Sequence, residues 1–245
     1  MDERKRNWIT WSFVALTVLV IAAMMSSTLR RTNRVELPDT DESPDFSAGA
    51  DAGLTVVEVT PETVQTAIAT LHRPEAYRRT ITVEQFWSTG SATTETAVAV
   101  LAGWTRTDRT LSGGQTRHTI TDGQTTYIWY NSEISVYETA AGDITADEEQ
   151  GIPTYETVLE LPTADIAMAD YRAISGVNCI YVETVENADG YIERYWVGVD
   201  TGLLMAAERL VDEEPVYRMA ALTVDMTAPT AADFTLPDGR ILVSE

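Results

Sequence analysis

Four groups of residues in this 245-residue chain have types and spacings that chemistry uses. Leu111-Ser112-Gly113-Gly114-Gln115 spells LSGGQ, the signature run of ABC-type ATPases. Phosphate chemistry also needs a lysine in a glycine-rich loop, and the only lysine here is Lys5. The run is read as a tight turn. Asp200-Thr201-Gly202 matches the acidic loop of aspartic proteases. That reaction needs two carboxylates sharing one proton, so one copy would require a symmetric dimer. Leu203 follows where a small, often hydroxylated residue is usual, and no second Asp-Thr/Ser-Gly is present; this too is read as a hairpin turn. His72 and His118 are the only histidines, too few for a His-rich metal site. His118 is placed on a strand facing solvent, and His72 at a helix end, where a cation is favoured. Cys179, the single cysteine, lies in the apolar run 177–182 and is read as a buried, inert thiol. No disulfide and no thiolate zinc site can form within the chain. No G-x-S-x-G elbow occurs. The expectation is a protein without catalytic residues, metal or cofactor; a cell-envelope hydrolase with dispersed residues is the remaining enzymatic alternative.

Charge narrows the partners. Six of the 17 basic and two of the 38 acidic residues fall in the first 34 positions, leaving 11 basic and 36 acidic residues, a net −25, for the rest. Such a domain repels phosphate backbones, so nucleic acid is excluded as a partner. Anionic lipid headgroups repel it as well, unless something holds it there.

Something of that kind stands at the N-terminus. Residues 8–25 read WITWSFVALTVLVIAAMM, without a charge. As a helix they span about 27 Å, and extension to residue 29 gives about 33 Å, the thickness of a hydrocarbon core. Trp8 and Trp11 sit near one end, where indoles favour the interface. The run exceeds the usual length of a signal-peptide core and lacks a clear A-x-A cleavage site. A retained signal anchor over 8–29 is therefore preferred to a cleaved signal peptide or a buried core helix. Three basic residues precede the span and three follow it, so the flanking charges tie. The short tail 1–7 is assigned to the cytoplasm and the large domain to the outside, giving a single-pass cell-membrane protein. Residues 30–54 carry Pro38, Pro44 and a run of acids, and read as a linker. Asp39, Asp41 and Asp45 do not form an EF-hand loop, because Pro44 occupies the glycine position.

The domain proper is placed at 55–245. Thr60-Pro61-Glu62 opens a helix over 61–72, with Val64, Ile68 and Leu71 on its apolar face. From Tyr77 the period is two: Ile81 and Val83 alternate with Thr80, Thr82 and Glu84. Val98, Val100 and Trp104 are placed on one side of the next strand, and Tyr127 with Trp129 mark a later one. A further strand is expected over 134–137. Helices are expected over 153–161 and 164–171. Strands then resume at 177–185, 191–199, 203–211 and 216–225, with turns at Asp189-Gly190 and Thr201-Gly202. Hairpin signals in series predict antiparallel pairing.

Residues 191–239 add a specific pattern: a strand ending Tyr195-Trp196-Val197, the Asp-Thr-Gly turn, a strand, the acidic turn 212–214, a strand reaching Val224-Asp225, and Phe234-Thr235-Leu236-Pro237. This resembles the closing strands of the LolA/RseB-like lipoprotein-carrier superfamily, which includes membrane-attached lipoproteins of Gram-positive bacteria, some of the sporulation and germination type. The order of earlier elements is similar too. The lipid-attachment cysteine of the lipoprotein members is missing. The resemblance implies an α+β, mainly β fold, a strongly curved antiparallel sheet (a half-barrel) wrapped on a few short helices, with an apolar cavity between them. The lining it implies is Ile81, Val83, Val98, Val100, Trp104, Trp129, Trp196, Met205 and Met219. Its implied function is non-enzymatic binding of an apolar ligand, a lipid or a lipoprotein acyl chain. The alternative is a sensor or regulatory ectodomain that binds another envelope protein. A large apolar cavity between sheet and helices would favour carriage; a filled core would favour a partner-binding role.

Overall fold

The computed structural model describes residues 58–111, 113–141 and 151–243, all within the compact unit Thr55–Glu245. The expected anchor over 8–29 and linker over 30–54 lie outside the described residues. Among the described residues, no helix is long and apolar enough to cross a membrane.

Helix α1 (Val64–Thr70) is followed by six strands: β1 (Ala76–Trp87), β2 (Gly90–Leu101), β3 (Trp104–Thr110), β4 (Thr116–Thr121), β5 (Thr125–Tyr130) and β6 (Tyr137–Ala140). Helix α2 (Tyr155–Leu159) and a 3-10 turn (Thr163–Asp165) lead to β7 (Ile166–Ile174), β8 (Val177–Thr184), β9 (Ile192–Gly198), β10 (Leu204–Val211) and β11 (Glu214–Ala220). The short β12 (Val224–Asp225) and a 3-10 turn (Ala231–Phe234) close the chain. All pairs are antiparallel, and the order is β6-β5-β4-β3-β2-β1-β11-β10-β9-β8-β7, with β12 also on β1. The sheet of 12 strands is open. Among the described residues, two meanders, β1–β6 and β7–β11, are joined in the sheet where β1 meets β11. This is the mainly β, antiparallel, helix-poor architecture expected from the sequence.

Five boundaries differ from expectation, each for a local reason. The stretch 164–171, rich in the helix formers Ala and Met, is not helical but the 3-10 turn and β7. Ser175 and Gly176 both take positive φ (49° and 84°), the requirement of a two-residue hairpin turn, and this turn pairs Ile174 with Val177 and sets β7 on β8. Pairing overrides weak helix propensity. Residues 134–136 are not strand; β6 begins at Tyr137, after a turn in which Asn131 has φ 49°. Val98 and Val100 do not share a strand with Trp104, because Ala102 and Gly103 (φ 48° and 86°) turn the chain between β2 and β3. The strand expected over 216–225 divides into β11 and β12, and Ala221 N–H donates to the Met205 carbonyl at 2.7 Å between them. The first helix is shorter than 61–72. Residues 61–63 form a turn in which Val64 N–H donates to the Thr60 carbonyl at 2.9 Å.

Register defines two faces. The inner face, which the helices cover, carries Ile81, Val83, Val98, Met219, Tyr195, Val197, Ile180 and Val182, packed on Val64, Ile68, Ile152 and Val158. Gln65 Nε2 lies 2.7–3.2 Å from the carbonyls of Val158, Leu159 and Leu161, so one side chain of α1 satisfies the orphan carbonyls at the end of α2. On the outer face, Phe234, Leu236 and Val243 of the C-terminal segment cover Ala99, Ile120 and Trp129. Arg78 clamps that segment by a two-pronged bond to Asp233 (3.0 and 2.7 Å), and Arg106 donates to the Asp233 carbonyl at 2.6 Å.

Hydrogen bonds from Arg78 hold the Asp233 carboxyl well below the usual carboxylate range. A depressed native value adds stability above the unfolded value of about 3.9, and that stability is lost as pH falls through the native value. Asp233→Asn should cost about 1 kcal/mol at pH 7, discounted for partial exposure of both groups. It should lower Tm by about 2–4 °C. Thermal unfolding followed between pH 7 and 2 should show the gap between variant and wild type closing with acid.

Candidate functional site

The nine residues implied as a lining divide among three clusters. Ile81, Val83, Val98 and Met219 lie together in the filled inner core. Val100 borders that core and also a cluster of Tyr77, Cys179, Leu203 and Met205, against which Trp196 packs. Trp129 lies under the C-terminal segment on the outer face, with Trp104 against it. Trp196 points outward too, as the cross-strand partner of Tyr181 and Ala206, its ring 5.1 Å from that of Tyr181.

On the inner side, between the start of α2 and β1–β4, lies a cavity of about 290 Å³. Its apolar wall is Val98, Val100, Leu203 and Leu204, and its polar wall includes Arg79, Thr105, Thr121 and Glu156. Arg79 is 7% exposed and donates to the Leu204 carbonyl at 3.0 Å. Tyr155 stands at the same place; burial first, then the hydrogen bond with Glu156, pushes its hydroxyl up to about 12. The Arg73 guanidinium lies over its ring at 3.6 Å. The polar wall follows from register. Val98 and Val100 of β2 are opposite Thr107 and Thr105 of β3, which are opposite Thr119 and Thr121 of β4. Beyond β2 the inner face therefore passes from aliphatic side chains to threonine. This cavity is at the small end of the range for ligand sites.

The outer face holds a larger, open trough of about 730 Å³. Exposed small residues, Thr80, Ala97 and Ala220, form its floor. Arg78, Arg106, Asp108 and Asp233 form one wall. His118 belongs to this network. It is not solvent-facing as the sequence suggested: its ring stacks on Trp129 (5.0 Å, 15°), its Nδ1 is 2.6 Å from Asp108 Oδ1, and its side chain is 18% exposed. Arg106 Nε is 3.1–3.2 Å from the same carboxylate. Sequence reading missed the trough because it depends on which strands become neighbours. The one available signal was the alternation of small residues at Thr80, Thr82, Ala97 and Ala99.

The tempting motifs are turns. Leu111 N–H donates to the Gln115 carbonyl at 2.7 Å, closing the loop that holds Gly113 and Gly114; Ser112 is outside the described residues. Gly202 N–H donates to the Gly198 carbonyl at 2.8 Å between β9 and β10. Its φ is +63°, and a Cβ there would come within 2.9 Å of Arg73 Cγ and the His72 carbonyl, so this glycine is fixed by geometry. His72 is exposed beyond the end of α1. Among the described residues, no group of three or more His, Cys, Asp or Glu side chains is placed to hold a metal ion.

No family model matches the chain, and no curated protein matches it in sequence. Among solved structures, it is similar to a LolA superfamily protein from Nitrosomonas europaea, with 10% identity, 73% of this chain and 98% of that one covered, and a TM-score of 0.36. It is similar to the Pseudomonas aeruginosa MucA/MucB complex, with 14% identity, 75% of this chain, 62% of that one, and a TM-score of 0.41. The lipoprotein LppX of Mycobacterium tuberculosis gives 8% identity, 69% and 94% coverage, and a TM-score of 0.38. At 8–14% identity these are likenesses of fold.

Cys179 is 1% exposed, and burial, with a smaller contribution from Asp200, pushes its thiol up to about 11. Roughly a thousandth of it is thiolate at pH 8. Ellman's reagent should find no reactive thiol in the native protein at that pH and one equivalent after denaturation; rapid native labelling would contradict the burial.

Proposed function

We propose that the domain is a non-enzymatic binding module, held outside the cytoplasm by residues 8–29, of the membrane-attached type within the LolA-like group. The ligand it fits best is narrow and amphipathic, a single acyl chain with a polar end. The observation that carries this reading is the cavity beneath α2, where Val98, Val100, Leu203 and Leu204 face Arg79, Thr105, Thr121 and Glu156. Apolar contact would supply most of the affinity and the polar wall the orientation. A bulky, wholly apolar cargo does not fit, because the centre of the core is filled. Mass spectrometry of organic extracts of the domain 55–245 should find such a ligand, and the emptied domain should take up a dye-labelled fatty acid. Val100→Trp should reduce uptake at least about tenfold by filling the cavity, with unchanged far-UV circular dichroism and a stability cost of about 1–3 kcal/mol. Empty extracts together with no uptake by the unaltered domain would sink the reading.

The trough favours a second reading, a sensor or regulatory domain that holds a segment of another envelope protein. At about 730 Å³ it is the larger cleft, open along the sheet. A photoreactive side chain at Thr80, on its floor, should capture a defined protein in intact cells if this reading holds, and no protein if the domain only carries a small ligand.

A further inference from the structure

Strand β7 is the outermost strand on its side among the described residues. Its regular part is Met168–Ile174; a bulge between Ile166 and Met168 interrupts the register before it, and the Ser175-Gly176 turn ends it. The residue at the centre of this seven-residue stretch is Tyr171. A two-residue hairpin makes Ile174–Val177 a hydrogen-bonded pair, and strict alternation then makes Arg172, Asp170 and Met168 bond to β8. The backbone groups of Ala169, Tyr171 and Ala173 consequently point away from the sheet. In agreement, Tyr171 N–H donates to the neighbouring Asp170 Oδ1 at 2.7 Å. Met168 and Tyr171 are 42% and 49% exposed.

We propose that β7 is a homodimerisation edge, pairing antiparallel with β7 of a second copy about a two-fold axis at Tyr171. The sequence of the edge is complementary to itself in this register alone. Tyr171 meets its counterpart once, on the axis, while Ala169 meets Ala173, Asp170 meets Arg172, and Met168 meets Ile174, each of these three pairs occurring twice. Asp170 and Arg172 fall at the non-hydrogen-bonded positions, where side chains approach most closely. In one copy these two side chains are 4.0 Å apart, with 62% and 41% of their surface exposed, and the Arg172 guanidinium lies 3.8 Å over the Tyr181 ring with Nη2 2.7 Å from Met168 Sδ. On pairing, Tyr171 N–H transfers to the second copy's backbone and Asp170 turns to that copy's Arg172. Two ion pairs then lie between domains whose mutual repulsion is mostly screened beyond about 8 Å at physiological salt. A neutral or one-signed edge would also suit an extended peptide of another protein; the opposed charges two residues apart, centred on the regular stretch, favour a second copy. This pairing is independent of the ligand in the cavity.

The test uses the full chain in its membrane. Tyr171→Cys places two cysteines at a hydrogen-bonded pair with Cα atoms about 5.5 Å apart, within disulfide range. Mild oxidation should yield a disulfide-linked dimer, while the unaltered chain, with only the buried Cys179, should not. Adding Asp170→Arg sets arginines opposite each other and should lower the dimer yield roughly tenfold. Adding Arg172→Asp as well should restore it. Absence of the dimer, a yield indifferent to Asp170→Arg, failure of the double exchange to restore it, or cross-linking to a different protein would each overturn the proposal. Both charged side chains are exposed, and circular dichroism should show all variants folded.

Discussion

The domain depends on one seam, the four residue pairs from Thr82–Ala220 to Gln85–Tyr217 that join β1 to β11. Each meander alone would leave its inner face half covered, because α1 and α2 lie over residues from both. A row of alternating charge marks the register at this seam on the outer face. Glu183, Arg194, Glu208, Arg218 and Glu84 are successive cross-strand neighbours from β8 to β1. Arg194 is 2.7 Å from Glu183, and Arg218 is 2.9 Å from Glu208. Tyr181 reinforces the end of the row by donating to Glu183 at 2.5 Å. Half-exposed pairs of this kind contribute a few tenths to about 1 kcal/mol each. Their larger effect is on alignment: a slip of one residue would set glutamates against apolar side chains and turn the core outward.

The two sides of the seam are finished differently. Toward β8, the inner face is aliphatic and closed by helices, and its outer face is left to the charged row. Toward β5, the inner face becomes threonine, and the apolar side is the outer one, where the C-terminal segment supplies Phe234 and Leu236. The hydrophobic layer thus changes sides across the sheet. Both clefts occur near the change, where neither cover is complete: the cavity under α2 on one side and the trough beside the clamped segment on the other.

Alternation along β1 and β8–β10 was legible in the sequence because one face of each is strongly apolar and the turns between them carry glycine or asparagine. The strand β7 was not, since Ala, Met and Tyr satisfy either period and only its partner β8 decides. The implied lining scattered for a related reason. Period two tells which residues of one strand share a face, but not which face a different strand presents. Trp129 and Ile81 look alike in sequence and lie on opposite faces. Between Leu204 and Ala206 the register with β9 shifts, placing Leu204 in the inner core and Met205 with Cys179. His118 gave no sign of its stack on Trp129, which exists only because β4 and β5 put them opposite each other.

The seam also dictates an order of events as the chain emerges N-terminus first. Val83 and its partner Met219 are separated by most of the domain. The first meander can assemble from neighbouring hairpins as soon as β6 is out, but β1 then stands as an open border until β11 arrives. A newly made chain passes through a stage in which its most central strand is temporarily its outermost, with Ile81 and Val83 lacking their cover. Contacts so distant in sequence form slowly, and a transient border of this kind is where chains misassociate.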